Sequence, residues 1–245
     1  MTTSADAEKQ QAPFWTRRGW LMAAGFLSSA MITALVAVAT GDGRSGQPAP
    51  TAAPGPLTRA AADTPGRPQG CVTDDRDHGT DEAPPEDIRW RTIGGTRVPV
   101  SAAAGPTRSA GAVLWCFART PAGAVMAAHV IPAQMTSPDW RVVTRDQVVA
   151  GFTRDLFVSQ RASLPDRDIE GRQNGTYTGY RVSDYTSNRA TVDLLISSVS
   201  GLRFTTSVTL LWSGGDWKVK PGGDGGLHSE MSSTASTTGF VLWKA

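Results

Sequence analysis

The sequence predicts an α+β domain with helices packed on a curved antiparallel sheet, carried outside a membrane by one N-terminal anchor helix. Three observations predict this arrangement. Residues 19–40 form a run without charge, and residues 41–70 are rich in proline and poor in large apolar side chains. Residues 71–245 show helix signals first and strand alternation afterwards. Helices followed by strands in separate blocks are typical of an α+β domain.

The charge balance of the chain argues against nucleic-acid binding. The chain has 245 residues, with 24 Lys+Arg against 22 Asp+Glu, and residues 71–245 hold 18 basic and 18 acidic residues. This length suits one domain of ordinary size with extra segments. A protein that neutralises phosphates needs a basic surface, so we expect no direct contact with nucleic acid.

The uncharged run at residues 19–40 is predicted to be a transmembrane helix that contacts lipid. Its 22 residues would span roughly 33 Å at ~1.5 Å each, which is enough for the hydrocarbon core. Arg17 and Arg18 stand at its N-terminal edge. Because positive charge stays inside, residues 1–18 are predicted to be a cytoplasmic tail and the C-terminal domain to be extracytoplasmic.

A cleaved export signal is the alternative interpretation of the same run. Arg17-Arg18 resembles a twin-arginine signal, and residues 37–39 form a small-x-small cleavage site. The run is longer than the ~7–15 residues of a signal core, which favours a retained anchor in the cell membrane. Either interpretation places the rest of the chain outside the cytoplasm.

Residues 41–70 are predicted to be a disordered Pro/Ala/Gly stalk. Their one large aliphatic residue is Leu57, so they cannot bury enough surface to offset the entropy of ordering. The stalk would hold the domain away from the lipid.

The two cysteines, Cys71 and Cys116, are predicted to form a disulfide. An even number of cysteines outside the cytoplasm indicates a bridge. A lipid-modified Cys71 is disfavoured because no apolar lipobox precedes it. A metal pair is disfavoured because the two thiols are far apart in sequence and no histidine pattern accompanies them.

The first half of the domain combines short strands with helices. Strands are expected around Trp90, at 98–100 and at 111–117. A helix is expected to begin at Thr120-Pro121, because Thr caps and Pro suits the first helical position, and Pro132 should end or kink it. Further helix starts are predicted at Ser137-Pro138 and at the capping box Thr144-x-x-Gln147.

The second half of the domain is predicted to be an antiparallel meander. Strands are expected over 177–186, 190–200 and 202–212, and the last alternates most regularly between apolar and polar residues. A turn at 213–216 should lead into a strand over 217–220. The apolar end at 239–243 is expected to dock back on the domain.

The predicted helices are followed by a meander that closes with Leu210-Leu-Trp-Ser-Gly-Gly-Asp-Trp-Lys-Val219. This arrangement resembles the nuclear transport factor 2-like (cystatin-like) fold. A second set of motifs consists of Trp90, Val98-Pro-Val-Ser101 with Gly105-Pro106, Cys116-Phe-Ala-Arg-Thr-Pro-Ala-Gly-Ala124, residues 212–219 and Gly239-Phe-Val-Leu-Trp243. In these motifs the chain resembles a group of actinobacterial conjugation-associated bitopic membrane proteins of unknown function, similar to type IV secretion inner-membrane assembly factors.

The sequence offers few residues for chemistry. His129 with Asp184 and Asp193 could line a pocket and transfer protons, although a core histidine and strand-surface carboxylates are the plainer interpretation. The Trp243 side chain is a candidate contact to a partner. No metal ligand set, phosphate loop or nucleophile motif occurs, so no metal or cofactor is expected.

These observations and the resemblance imply a non-enzymatic scaffold in a membrane-spanning conjugation or type IV secretion-like complex. Its expected partners are other protein subunits of that complex or further copies of the chain. The alternative is a secreted or anchored cone-shaped domain that binds a small ligand or acts as an enzyme.

Overall fold

The computed structural model describes residues 66–76, 79, 83–166 and 175–244. These residues form an α+β domain, as predicted, with three helices and a curved antiparallel sheet.

The predicted tail and anchor, residues 1–40, lie outside the described part of the chain, as does most of the predicted stalk. Within the described part, no helix combines the length and the apolar character needed to cross a bilayer.

Two small hairpins open the domain. Strands β1 (Arg89–Ile93) and β2 (Thr96–Val100) pair with each other, and so do β3 (Arg108–Ala110) and β4 (Val113–Trp115). The β1–β2 hairpin lies against the first helix. Val98 and the whole of β4 are buried, so both hairpins contribute to the core.

Helix α1 (Pro121–Gln134) is buried on nearly all sides. The Thr120 side chain accepts a hydrogen bond from the Gly123 backbone at 3.1 Å, which confirms the predicted cap. Only Ala122 and Pro132 are partly exposed. A helix that is apolar all round belongs in a core, and α1 lies between the β1–β2 hairpin and the main sheet. Pro132 does not end it, since the helix runs to Gln134.

The capping box predicted at Thr144 is wrong. Helix α2 (Trp140–Gln147) ends where that box was expected to start a helix, and α3 begins only at Phe152 (Phe152–Ala162). The Thr144 hydroxyl donates to the Trp140 carbonyl at 2.7 Å, back into its own helix. The chain then leaves α2 at Val148. The backbone N–H of the following residue, Val149, donates to the Val219 carbonyl of the main sheet.

The main sheet has the strand order β10-β5-β6-β7-β8, with β9 paired to the free end of β7. Consecutive neighbours are antiparallel throughout. Its strands are β5 (Thr176–Thr186), β6 (Arg189–Ser197), β7 (Arg203–Ser213), β8 (Asp216–Val219), β9 (Ser232–Ser233) and β10 (Val241–Leu242).

The curvature of the sheet begins in β5. Its pairing with β6 shifts register between Tyr177 and Gly179 and again between Val182 and Asp184. Such bulges bend a strand and increase its twist. The sheet packs against α1, which contacts β5, β6, β7 and β8.

The buried carboxylate of Asp216 joins the closing hairpin to the segment after β4, which begins with Cys116 and Phe117. It accepts backbone hydrogen bonds from Cys116 at 2.7 Å, and from Phe117 and Trp217 at 2.9 Å each. The Trp217 indole donates to the Ala118 carbonyl at 2.8 Å. The segment that begins at Cys116 and the closing hairpin, which lie about a hundred residues apart in sequence, are thus held together at Asp216.

The disulfide between Cys71 and Cys116 is confirmed. It ties the start of the domain to this same point. Arg67, which the sequence analysis assigns to the stalk, contacts the domain as well: it pairs with Asp75 at 2.6 Å and donates to the Phe117 carbonyl at 3.0 Å.

Candidate functional site

A cavity of about 650 Å³ opens at the end of the sheet where β5 and β7 begin and β6 ends. Its volume lies within the ~300–1,000 Å³ that ligand pockets typically measure. Its walls come from the sheet on one side and from α1, α3 and the loop before β9 on the others.

The sheet wall is apolar because of strand alternation. Leu194 and Ile196 on β6 and Phe204 and Val208 on β7 line the cavity. Ile196 lies opposite Phe204, and Leu194 lies opposite Thr206, which also lines the cavity. The inward half of the alternation predicted for 202–212 therefore supplies part of this wall.

The helix wall is apolar as well. Pro132 and Met135 line it at the end of α1, and Phe157 lines it from α3. The Phe157 ring meets the buried Trp140 ring edge-on at 6.2 Å. The helix α1 ends here, and among the described residues no side chain fills the space between α1, α3 and the sheet.

Arg161 is the one arginine or lysine among the described residues of the lining, and its charge is already paired. Its side chain is 6% exposed. The guanidinium donates to the Met135 and Leu164 carbonyls at 3.2 and 3.3 Å and to the Asp166 carboxylate at 2.8 Å. It also lies 4.8 Å from the centre of the Trp140 ring. A ligand anion would have to displace Asp166 to reach it.

Most other polar groups of the lining bond to the protein backbone. Thr206 donates to the Ser229 carbonyl at 2.7 Å, Gln160 to the Asp224 carbonyl at 2.9 Å, and Thr136 to the Ala133 carbonyl at 2.8 Å. These bonds hold the walls and the loop before β9 in place.

Tyr177 adds a neutral hydroxyl to the lining at the start of β5. Burial raises the pKa of Tyr177 to about 12. The phenol therefore stays protonated at neutral pH and can donate a hydrogen bond. Its ring stacks edge-on against His129, with ring centres 4.7 Å apart.

His129 lies in the core behind this wall and is not part of the lining. Its Nδ1 is 2.8 Å from the Val125 carbonyl, which can only accept, so Nδ1 carries the proton of the neutral ring. Burial lowers the pKa of His129 to about 4, against a weaker opposing effect of that hydrogen bond. The side chain is a neutral core imidazole at neutral pH.

The structure does not bring Asp184 and Asp193 to His129 or to the cavity lining. Asp193 pairs with Arg181 at 2.7 Å and accepts from Ser207 at 2.6 Å. Asp184 is exposed and stands 3.7 Å from Arg189. Both carboxylates are therefore engaged in ion pairs on the sheet, Asp193 in a buried position and Asp184 on the surface.

Trp243 packs into an aromatic cluster with Trp90, Tyr180 and His129. Its ring centre lies 5.7 Å from that of Trp90, 4.6 Å from Tyr180 and 5.5 Å from His129. The Trp243 backbone donates to the Thr178 carbonyl at 3.0 Å. The half-buried tryptophan thereby docks the C-terminal segment on the sheet, as the sequence predicts for 239–243.

The rim of the cavity carries exposed apolar side chains. Leu164 and Met231 line the mouth and are 53% and 55% exposed. The turn between β6 and β7 carries Val199 and Leu202, which are 96% and 62% exposed. Sequence reasoning missed this rim and Arg161, because no local pattern shows which loop residues meet at one end of a sheet.

Comparison with protein families gives one match that covers most of the chain. The family model described as Domain of unknown function (DUF8175) matches residues 48–242. The chain belongs to this family. The matched stretch includes every helix and strand described above, so the family is defined by this whole domain. No curated protein and no solved structure matches the chain.

Proposed function

We propose that this chain is a non-enzymatic assembly component of a membrane-spanning conjugation or type IV secretion-like complex, and that its outer domain acts by binding. Residues 19–40 would hold it in the cell membrane as a single-pass protein. The observation that carries the proposal is the apolar cavity together with its exposed apolar rim.

The rim supports binding to another protein subunit. Among the described residues, eight large apolar side chains are exposed, and four of them stand at this end of the domain: Leu164, Val199, Leu202 and Met231. Apolar surface gathered at one place marks interaction sites, whereas single exposed residues need no explanation. Because this rim adjoins the cavity, a side chain of the partner can insert into the cavity.

The chemistry of the lining supports a role without catalysis. Among the described residues of the lining, Arg161 is paired with Asp166, and His129, the histidine considered for proton transfer from the sequence, is buried behind the wall. General acid–base catalysis needs a titratable group within hydrogen-bond reach of the substrate. The described lining offers Tyr177, whose raised pKa suits hydrogen bonding rather than proton transfer at neutral pH, and the exposed His228, whose Nδ1 lies 2.9 Å from the Ser229 carbonyl.

The kind of machine follows from the resemblance to membrane-anchored assembly factors of the nuclear transport factor 2-like fold. Helices α1–α3 followed by an antiparallel meander support that assignment, as does the closing hairpin at Trp212–Val219. A small-ligand-binding or enzymatic cone is the second candidate, and the size of the cavity favours its ligand-binding form.

The test substitutes residues of the rim and measures DNA transfer or secretion in cells that carry the transfer system. In the double variant Val199→Glu/Leu202→Glu we expect DNA transfer or secretion to fall at least tenfold, with unchanged amounts of the protein in the membrane fraction. Val72→Glu, equally exposed but elsewhere on the domain, should behave as the wild type. Undiminished transfer after deletion of the whole gene would exclude the proposal.

A photo-crosslinking amino acid at Met231 adds a direct measurement. We expect it to form an adduct with another protein of the membrane fraction, whereas the same amino acid at Arg189, on the opposite end of β6, should form none. Equal adducts from both positions would indicate nonspecific contact.

A further inference from the structure

We propose that the cavity binds an elongated, uncharged apolar molecule, such as the chain of a fatty alcohol, acyl ester or prenyl compound. The inference rests on the proposed function in one respect: this end of the domain acts by binding. It adds the chemical class of a small molecule that would occupy the space behind the rim.

The volume of the cavity is large enough to hold a ligand. At ~30 Å³ per molecule, 650 Å³ corresponds to roughly twenty waters. Protein interiors are close-packed, and voids larger than a water molecule are few. A space of this size between Leu194, Val208 and Phe157 is therefore a pocket and not a packing defect.

The described part of the lining disfavours an ionised ligand. Water against Leu194, Ile196, Phe204 and Val208 lacks hydrogen-bond partners, so apolar atoms are favoured along that wall. Arg161 already holds Asp166 at 2.8 Å and two carbonyls, and the exposed His228 has its Nδ1 2.9 Å from the Ser229 carbonyl. Among the described residues, a ligand carboxylate or phosphate would therefore find no free counter-charge against the apolar wall, which is costly in such a surrounding.

Tyr177 supplies the polar recognition. Its protonated hydroxyl stands on the same wall as Leu194 and Ile196, the residues that β6 places beside β5. A hydroxyl donor selects a neutral oxygen acceptor such as an alcohol, an ester or a ketone. The ligand would place its apolar chain along β6 and β7 and its oxygen toward β5.

The exposed rim gives such a molecule an entry. Leu164 and Met231 flank the mouth and can contact a chain before it is fully buried. The Met231 side chain adapts to different shapes, because it is unbranched and polarisable.

The experiment uses the full chain reconstituted in nanodiscs of saturated phosphatidylcholine. The probes are a sixteen-carbon fatty alcohol and the matching fatty acid, each with a diazirine and an alkyne, at equal concentration and pH 7.5. After irradiation, mass spectrometry locates the labelled peptides. We expect the alcohol to label peptides from β6, β7 and α3, at least tenfold more strongly than the acid.

Two variants test the position of the ligand. Ile196→Trp places a large ring in the cavity and should reduce labelling at least tenfold. Thr191→Trp carries the same new ring on the same strand but on its opposite face, and should keep wild-type labelling. Circular dichroism of both variants shows whether they are folded. Tyr177→Phe should weaken alcohol labelling about fivefold and leave acid labelling unchanged.

The outcomes separate this inference from the proposed function. Labelling that is absent from the cavity peptides, equal for both probes, or unaffected by Ile196→Trp would overturn the inference. If the rim variants still abolish transfer in that case, the assembly role stands without a ligand. If labelling behaves as expected and the rim variants transfer normally, the cavity binds its ligand and the assembly role falls.

Discussion

The buried carboxylate of Asp216 lies 2.7 Å from the backbone nitrogen of Cys116, so the turn after β7 holds one end of the disulfide. Cys116 has a left-handed backbone, with φ of 72°, which is rare for a residue other than glycine. The carboxylate that accepts from Cys116 and from Phe117 stabilises this conformation. Four testable predictions concern the stability of this domain.

Replacement of Asp216 should destabilise the domain strongly. Asn is nearly isosteric, but its amide offers one acceptor oxygen where the carboxylate meets three backbone donors. An NH₂ group would then face a buried N–H. We expect Asp216→Asn to lower the free energy of unfolding at pH 7 by about 3 kcal/mol. Urea titration followed by tryptophan fluorescence measures this, with the exposed Asp184→Asn as control. A loss below 0.5 kcal/mol (a rough threshold for surface substitutions) would contradict the prediction.

Two buried groups should give opposite pH dependences. Burial raises the pKa of Asp216 to about 6, outweighing the backbone hydrogen bonds that lower it. The folded state therefore binds a proton that the unfolded state has released, and the free energy of unfolding falls as pH rises from 4 to 6. The pKa of His129, lowered to about 4, acts the other way. Here the unfolded state binds the extra proton, and stability falls as pH drops from 6.5 to 4.

The variant His129→Leu isolates the second effect. It removes the acid-induced loss due to His129 and leaves Asp216 in place. Relative to the wild type, its free energy of unfolding should increase by about 3 kcal/mol as pH drops from 7 to 4. Urea titrations at four pH values measure the difference between the two proteins. A constant difference across that range would show that His129 titrates normally in the fold.

Loss of the disulfide should cost about 4 kcal/mol, the entropic value for a loop of this length. Cys71 and Cys116 are 45 residues apart in sequence. The measurement compares Cys71→Ser/Cys116→Ser with the wild type in urea. Alkylation of the denatured wild type without reductant provides the control, because the bridged protein should take up no label at either cysteine.

Replacement of Trp243 distinguishes packing from partner binding. Its ring contacts Trp90, Tyr180 and His129, so Trp243→Ala should lower the stability of the isolated protein by about 2 kcal/mol, less than for a fully buried tryptophan. Leu242→Ala removes an exposed neighbour and should change stability little. Unchanged stability in Trp243→Ala with loss of a partner would favour the contact role considered from the sequence.

The sequence predicted the fold better than it predicted the candidate site. The cap at Thr120 and the alternation over β7 depend on neighbouring residues, and both are correctly predicted. The capping box at Thr144 failed because its hydroxyl turned back to Trp140 within a helix that had already started. Local capping patterns do not record where the preceding helix ends.

The candidate site depended on contacts between distant residues. From the sequence, His129 could face a pocket or lie in the core. The structure places it in the core, where its ring packs against Tyr177 and Trp243. No pattern along α3 pointed to Arg161, yet this residue lines the cavity and its charge is paired with Asp166.

By itself, the sequence determined the order of helices and strands, the apolar faces of the sheet and the disulfide between Cys71 and Cys116. Each of these follows from periodicity, capping or cysteine number, which short stretches of chain carry. Only the tertiary structure decided that α1 ends short of the far end of the sheet, and that α3 and the loop before β9 enclose the remaining space. A cavity is the volume that no side chain fills, and that depends on how far apart the surrounding elements pack.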